Sequence, residues 1–316
     1  MKELFFETAN LKAYYVTSGD VRQDTRIVVS FRSLIRPGRP YETGESETTI
    51  RRAGLDAIHI IPNSNKWYQY PEIHDLLDRV GSITRTYETV ATYGLSMGGF
   101  GALQASAILD ADLSVTYSPQ FSVDSSRLDF VDRGWQRQVA GVKFLWDSPE
   151  NISKKCRHVV IYDPRHTDSK HIAEIQKHVC LEALILPFAG HHTWRTAKHA
   201  GIGEKLLRRL LLGETDLAWV RQAVRNSRRT DARYFVNLWR QSARSTEALQ
   251  HALSIDLLLT MMSLGAEEWP FAVEHRPNVW ADVQAAIAEL RSNGKFDEAE
   301  RAEATIERIR RRGRLD

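Results

Sequence analysis

The sequence predicts an α/β protein with a doubly wound, mostly parallel sheet, followed by a carboxyl-terminal all-helical region. Strand-like runs alternate with helix-like segments as far as about residue 212, and these runs are largely apolar rather than alternating between apolar and polar residues. Strands of that kind are buried on both faces, as they are when helices cover a parallel sheet. After Gly213 convincing strand-like runs stop, which predicts the helical region.

The strand-like segments are rich in β-branched and aromatic residues, the types that favour strands. In chain order they cover residues 4–7, 11–17, 26–31, 56–62, 88–93, 112–117, 158–162 and 181–188, and the first two are expected to pair antiparallel. Helices are expected at residues 72–80, 100–110, 169–179 and 193–212. Between Phe121 and Ser153 the alternation stops, and such an irregular excursion is where a lid or a substrate-shaping insertion is expected.

The carboxyl-terminal region has the pattern of consecutive helices. They are expected near residues 215–226, 231–242, 246–264, 279–292 and 296–311. A turn at Gly294 joins the last two, and small residues beside it (Ala285, Ala288, Ala299 and Ala302) favour close packing of an antiparallel pair. We therefore expect an α/β domain over residues 1–213 and a helical domain over residues 214–316.

Composition limits the classes of function. With 42% hydrophobic and 26% charged residues, the 316-residue chain has the balance of a soluble globular protein. The formal charge of +3 is mild, and the arginines of the last third are interpreted as solvated helix faces, so no nucleic-acid partner is expected. The amino terminus lacks a leader pattern and no apolar run approaches ~18 residues, so we expect no membrane span and a cytoplasmic location.

Cysteine usage gives no sign of a metal centre. Cys156 and Cys180 form no C-x-x-C pair and have no ligand-like spacing with histidine. They are interpreted as buried free thiols in a reducing compartment. We expect neither a metal nor a cofactor.

A G-x-S-x-G pattern lies between a strand-like and a helix-like segment, in Tyr93-Gly94-Leu95-Ser96-Met97-Gly98-Gly99-Phe100-Gly101. A serine on so sharp a turn takes a strained backbone conformation, for which small neighbouring residues leave room. The turn exposes the hydroxyl at the carboxyl end of the strand, which makes Ser96 the predicted nucleophile.

A serine hydroxyl needs a base, and the base needs an orienting acid. After such a turn the chain order is serine, acid, histidine, each following a strand. His191, which follows the last strand and a glycine, is the predicted base, and His192 competes only weakly. Two acids follow the strand that ends at residue 162: Asp168 is favoured, although it also suits a helix cap, and Asp163 is the alternative.

The oxyanion formed in acyl transfer needs backbone N–H donors. Met97, directly after the serine, is predicted to supply one, and the loop after strand 26–31, nearest Phe31, the other. The usual His-Gly pair is absent there. Arg32 in that loop either binds an anionic substrate group or is a solvated loop residue.

Aromatic and amide side chains near the predicted strand ends are candidates for lining a pocket. Each of them also suits a core position: Trp67, Tyr68, Gln120 and Trp135.

These residues together resemble the α/β-hydrolase superfamily. More narrowly, the chain resembles poorly characterised bacterial hydrolase-like proteins found with surface-polysaccharide machinery, through segments 65–69, 93–103, 118–122, 162–164 and 190–191. The resemblance covers residues 4 to about 212, and it implies a serine esterase or acyl-transfer site with Ser96 as nucleophile and His191 as base.

Three functions are compatible with these features. The favoured one is a serine hydrolase acting on a small-molecule or glycan-linked acyl ester through an acyl-enzyme. The second is an acyltransferase with the same triad. The third is a non-catalytic binding protein whose helical region engages a protein partner or a second copy of the chain.

Overall fold

The structure is a computed structural model that describes residues 1–19, 25–35, 42–130, 132, 134–136, 138–231, 233–235, 237–238 and 279–311. Within these residues eight strands form one sheet. They are β1 (Lys2–Glu7), β2 (Leu11–Val16), β3 (Arg26–Phe31), β4 (Asp56–Pro62), β5 (Thr89–Leu95), β6 (Leu113–Tyr117), β7 (Arg157–Tyr162) and β8 (Leu181–Ile185). Each predicted strand is present.

The sheet is doubly wound and mostly parallel, as predicted. The strand order is β1-β2-β4-β3-β5-β6-β7-β8. The β1–β2 and β2–β4 pairs are antiparallel, and the pairs from β4–β3 to β7–β8 are parallel. The order reverses at β3, because the chain goes from β3 to β4 on one side and then crosses to β5 on the other. At such a reversal the carboxyl ends of the two inner strands border a crevice.

Seven α-helices lie among the described residues that precede residue 228. They are α1 (Glu47–Arg52), α2 (Ile73–Thr84), α3 (Met97–Gln104), α4 (Asp168–Gln176), α5 (Thr193–His199), α6 (Gly203–Leu211) and α7 (Ala218–Ser227). The helix predicted at 100–110 begins earlier, directly after Ser96, and ends at residue 104. The excursion after Phe121 contains only short 3₁₀ turns among its described residues.

The single helix predicted at 193–212 is two helices, and Gly201 is the reason. It adopts φ +70 directly after α5. Its N–H donates to the Lys198 carbonyl at 2.9 Å, and the Ile202 N–H donates to the Ala197 carbonyl at 3.0 Å. This pair of bonds is the Schellman ending, which stops a helix at a left-handed glycine.

The central strands are buried on both faces, as their apolar composition predicts. All seven residues of β4 are buried, and in β3 only the first residue is partly exposed. Val28 and Val29 lie next to each other on opposite faces of β3, and both are fully shielded from solvent. A continuous apolar strand therefore forms the middle of the core.

The chain separates into two compact units, residues 1–187 with 191–223, and residues 188–190 with 224–316. In the second unit α8 (Val279–Ser292) and α9 (Phe296–Arg311) occupy the positions predicted for the last two helices. Ala299 and Ala302 are buried, but Ala285 and Ala288 are exposed, so of these four small residues the two after the turn are the ones that pack. The predicted helix at 246–264 and half of that at 231–242 lie outside the described residues. The boundary near Gly213 stays a prediction.

Among the described residues, none of the helices combines the length and apolar character needed to cross a membrane. The cytoplasmic location stays a prediction.

A buried histidine makes the stability of this sheet depend on pH. His59 on β4 is 1% exposed, and its Nδ1 lies 2.5 Å from the Ser30 hydroxyl oxygen on β3. Burial disfavours the charged imidazolium and lowers the pKa of His59 to about 4, although the nearby Glu47 carboxylate acts in the opposite direction. In the unfolded chain the histidine pKa is about 6.5.

We predict that this histidine contributes stability above about pH 6.5 that is lost as the pH falls to about 4, amounting to roughly 3 kcal/mol. The unfolded chain binds the extra proton throughout that range. His59→Asn keeps a polar group near the Nδ1 position but does not titrate, so urea unfolding of the variant should show a smaller loss of stability between pH 7 and pH 4. An equal loss in both proteins would contradict the assignment.

Candidate active site

Ser96 lies on the turn between β5 and α3 in a strained conformation, with φ 53 and ψ −119. For a residue with a side chain, such a conformation costs about 1–3 kcal/mol. The Ser96 N–H donates to the Tyr117 carbonyl at 2.8 Å, and its carbonyl accepts from the Phe100 N–H at 2.9 Å. These bonds tie the turn to β6 and to α3, so the sharp turn predicted from the motif is present.

Two glycines of the motif are required by close backbone approach. A Cβ on Gly94 would lie 2.1 Å from the Gly98 carbonyl oxygen. A Cβ on Gly98 would lie 2.1 Å from the Phe31 carbonyl oxygen, at the end of β3. Since no real Cβ tolerates such distances, a side chain at either position would push the serine turn away from β3.

The structure brings Ser96, His191 and Asp168 into one hydrogen-bonded chain. His191 Nε2 lies 2.8 Å from Ser96 Oγ, and His191 Nδ1 lies 2.8 Å from Asp168 Oδ2. Ser96 and His191 are half-buried, whereas Asp168 is 2% exposed. The three residues follow β5, β8 and β7, so they come from the carboxyl ends of three parallel strands.

Asp168 is the first residue of α4, and its carboxylate Oδ2 lies 2.8 Å from His191 Nδ1 and 3.1 Å from His166 Nδ1. Burial acts to raise the pKa of Asp168, but the positive charge that His191 carries when it is protonated and hydrogen bonds from His166 and His191 outweigh it. The pKa of this carboxyl is therefore held well below its usual range, and Asp168 is ionised at neutral pH.

Asp163, the alternative acid, is buried at the end of β7, where its Oδ1 accepts the Arg165 N–H at 3.0 Å. That bond shapes the turn after the strand. The carboxylate in contact with His191 is that of Asp168.

His166 is a member of the site that no motif predicts. Its Nδ1 lies 3.1 Å from Asp168 Oδ2, the oxygen that also contacts His191. The only indication in the sequence is the two-residue spacing from Asp168 at the start of a helix. One ligand atom from each of His166, Asp168 and His191 lies within 4.8 Å of the others, a spacing that a transition metal can bridge. A metal held there would replace the hydrogen bond between Asp168 and His191.

The predicted oxyanion donors occupy different surroundings. Met97 is the buried first residue of α3, where a helix leaves its N–H groups without intrahelical acceptors. Phe31 is the buried last residue of β3, in register with Ile60 on one side and Gly94 on the other, so it lies inside the sheet. Its role as a donor stays a prediction.

Arg32 is buried, at 9% exposure, and its guanidinium donates to the Thr43 carbonyl. Of the two alternatives given for Arg32, the solvated loop residue is therefore wrong. In this conformation its side chain binds the protein's own backbone.

The aromatic residues separate into two groups. Trp67, Tyr68 and Gln120 are fully buried, and the Trp67 indole N–H donates to Gln120 Oε1 at 3.2 Å. Their role as substrate contacts stays a prediction. Trp135, in the excursion after β6, is half-buried, with its ring centroid 5.0 Å from that of His191 and 5.6 Å from that of Trp67. Of these aromatic residues, Trp135 is the one beside His191.

The strand order and the strained serine turn define a protein of the α/β-hydrolase fold. No family model matches the chain, and no curated protein matches it. Solved structures similar to it include the glycosylation-associated protein (Gap123) complex from Streptococcus agalactiae, at 15% identity over 68% of this chain and 47% of that chain, with a TM-score of 0.49. The chain thus spans about half the length of that streptococcal protein.

Two further similar structures are matched over most of their own length. The capsule O-acetyltransferase of Neisseria meningitidis serogroup A, in complex with CoA, is 11% identical over 65% of this chain and 93% of that chain, with a TM-score of 0.46. Est1E from Butyrivibrio proteoclasticus is 10% identical over 67% of this chain and 98% of that chain, with a TM-score of 0.43. Glycosylation and capsule proteins are thus among the structures that this chain is similar to.

We predict that Gly98→Ala disrupts the serine turn, because its Cβ would collide with the Phe31 carbonyl. Overpacking of this kind costs about 1–3 kcal/mol. Gly19→Ala is the matched control, since a Cβ there meets nothing within 4 Å. Thermal unfolding should show a lower Tm for Gly98→Ala alone, and equal Tm values for the two variants would contradict the steric argument.

Proposed function

We propose that this protein is a serine hydrolase that cleaves carboxylic esters through an acyl-enzyme, with Ser96 as nucleophile, His191 as base and Asp168 as orienting acid. The observation that carries the proposal is the chain of two 2.8 Å contacts from Ser96 Oγ through the His191 ring to the Asp168 carboxylate. The strained turn supports it, because nucleophilic serines of this fold occupy such a turn.

The protonation states follow from the contacts. The ionised Asp168 carboxylate can only accept, so the His191 Nδ1 carries the proton and Nε2 has a free lone pair toward Ser96. As the Ser96 oxygen attacks the ester carbonyl, its proton passes to Nε2, and Asp168 stabilises the imidazolium that forms. The Met97 N–H is the proposed donor to the oxyanion.

Collapse of the tetrahedral intermediate breaks the bond to the alcohol oxygen, which takes the proton from His191. The acyl group then stays on Ser96. Water, deprotonated by His191, attacks this ester and returns the serine hydroxyl. The two half-reactions use the same residues in the same roles.

The proposed substrates are small-molecule or glycan-linked acyl esters. Trp135 supports this class, because its ring beside His191 offers a flat apolar surface on which a sugar ring or an acyl chain packs. The resemblance to proteins of polysaccharide machinery favours the glycan-linked ester. Helices of residues 224–316 are the proposed surface for a protein partner or for self-association.

Acyl transfer to an alcohol acceptor is the second candidate, and the position of Trp135 also favours it. Its indole packs at 5.0 Å from the His191 ring and so covers part of the base that would activate water. An acyl-enzyme shielded from water lasts until an acceptor hydroxyl arrives. Loss of hydrolysis product on adding a glycan acceptor, with appearance of the acylated glycan, would distinguish transfer from hydrolysis.

A fluorophosphonate probe tests the nucleophile. We predict labelling of the unmodified protein and no labelling of Ser96→Ala, because the probe reacts only with an activated serine. Ser82→Ala, which removes an exposed hydroxyl on α2, should be labelled normally. Peptide mapping that finds the probe on another serine, or no labelling of the folded unmodified protein, would overturn the proposal.

Replacing the acid separates the two candidate aspartates. Asp168→Asn leaves His191 without an anionic acceptor for its Nδ1–H, so we predict a fall in kcat/KM of roughly 10³- to 10⁴-fold on an activated ester. Asp163→Asn changes a buried carboxyl of the same segment that shapes a turn, and it should retain activity within about tenfold. The opposite ranking, measured on variants with native circular dichroism, would reassign the acid.

A further inference from the structure

The first two backbone N–H groups after β3, those of Arg32 and Ser33, both donate hydrogen bonds. The Arg32 N–H donates to the Ile60 carbonyl at 3.1 Å, so it continues the hydrogen-bond ladder between β3 and β4. The Arg32 carbonyl accepts the Tyr68 hydroxyl at 2.6 Å, which fixes the plane of the peptide between Arg32 and Ser33. The N–H of Ser33 is therefore the first amide beyond the ladder.

This amide lies at the start of α3. A Cβ built on Gly98 would be 3.0 Å from the Arg32 carbonyl carbon, the atom bonded to the Ser33 nitrogen. Gly98 is two residues after Ser96, and Met97 is between them. The Ser33 amide thus belongs to the same small region as the Met97 amide, beside the nucleophile, where β3 and β5 are neighbours.

A carboxylate from the same loop occupies the Ser33 donors. Glu45 Oε2 accepts the Ser33 N–H at 2.9 Å and the Ser33 hydroxyl at 2.6 Å. Hydrogen bonds to an ionised acceptor are about twice as strong as neutral ones. An amide that holds a carboxylate oxygen is also suited to hold the oxyanion of a tetrahedral intermediate.

The turn that carries Glu45 is anchored independently on both sides. Before it, the Gly44 N–H donates to Glu47 Oε2 at 2.9 Å. After it, the Ser46 hydroxyl lies 2.9 Å from the Tyr93 hydroxyl, and Ser46 adopts φ 52. Glu45 itself is half-buried, so its side chain reaches both Ser33 and solvent.

We propose that the Ser33 N–H is the second oxyanion donor of the proposed reaction, and that the Glu45 carboxylate is an internal anion held on it which the substrate carbonyl must displace. This inference rests on the proposed hydrolase function. With Glu45 in place, Met97 is left as the donor from the α3 side, and a negative charge stands where negative charge must develop. The conformation described here is therefore a low-activity state of the site.

The test compares fluorophosphonate labelling rates and kcat/KM on a small activated ester across a set of variants. Glu45→Ala frees the Ser33 amide and removes the opposing charge, so both rates should rise by about tenfold or more, since one oxyanion donor is worth about 10²–10³ in kcat. Glu45→Gln keeps an acceptor without the charge and should give a smaller rise. Unchanged or lower rates in folded Glu45→Ala would overturn the inference.

Two controls exclude simple loosening of the loop. Glu47→Ala removes the neighbouring anchor on Gly44 and Lys2 but leaves the Glu45–Ser33 bonds, so it should give no rise. A rise equal to that of Glu45→Ala would overturn the inference. Ser33→Ala removes the hydroxyl bond and keeps the N–H, so it should give a rise smaller than Glu45→Ala.

Ser33→Pro removes the N–H itself and closes a double-mutant cycle. We expect a lower rate than in the unmodified protein, and no gain when Glu45→Ala is added to it. A full gain in the double variant would show that Glu45 acts elsewhere. Should Ser33→Pro not fold, the order of Glu45→Ala, Glu45→Gln and Ser33→Ala decides the matter.

The outcomes also separate this inference from the proposed function. If labelling depends on Ser96 but its rate is the same in the unmodified protein and in all Glu45 variants, the result contradicts this inference and leaves the proposed function intact. If neither the unmodified protein nor folded Glu45→Ala is labelled, the result contradicts both the inference and the proposed function. Labelling of the unmodified protein at Ser96 that becomes faster after Glu45→Ala supports both.

Discussion

The contact between Gly98 and the end of β3 sets the geometry on which the rest of the site depends. With only hydrogen on the Gly98 Cα, the first turn of α3 lies directly against the Phe31 carbonyl. That approach holds Ser96 in its strained turn and brings the loop after β3 beside the amide of Met97. The strands supply a rigid base, because β3 and β5 are bonded in parallel from Arg26 to Phe31. Because Gly98 has no side chain, α3 packs directly against the end of β3, and this contact fixes the position of Ser96.

The electrostatics of the site follow from burial on one side and exposure on the other. Asp168 is shielded from water, yet His191 and His166 keep it ionised. A buried charge of this kind interacts with its partners more strongly than a solvated one. Ser96 and His191 remain half-buried and accessible. The charged Asp168 carboxylate is therefore buried, whereas the Ser96 hydroxyl and the His191 ring are partly accessible to solvent.

Much of the fold could be predicted from the sequence because its determinants are local. Val28 and Val29 stand in an unbroken apolar run, and such a run indicates a strand buried on both faces. The serine turn is equally local, since the glycines that it needs lie within two or three residues of Ser96. The histidine that contacts Ser96 could be predicted from its position after the last strand and directly after Gly190. The end of α5 at Gly201 could also have been predicted, because a glycine within a helical pattern often ends the helix.

What could not be predicted depends on contacts between segments without a pattern of their own. Asp163 and Asp168 follow the same strand, and only the path of the chain into α4 turns the second toward the imidazole. Glu45 and Ser33 are joined across a loop in which no spacing rule applies. Trp67 could be placed in a loop, but no property of the residue distinguishes a loop aromatic that lines a pocket from one that fills the core.

The backbone angle at Ser96 has a consequence for how this protein would change under selection. Glycine adopts a positive φ without steric cost, so a glycine at this position would relieve strain while removing the hydroxyl. In the proposed function Ser96 is the nucleophile. Selection for stability alone would therefore favour glycine at this position, whereas selection for the proposed activity would retain serine.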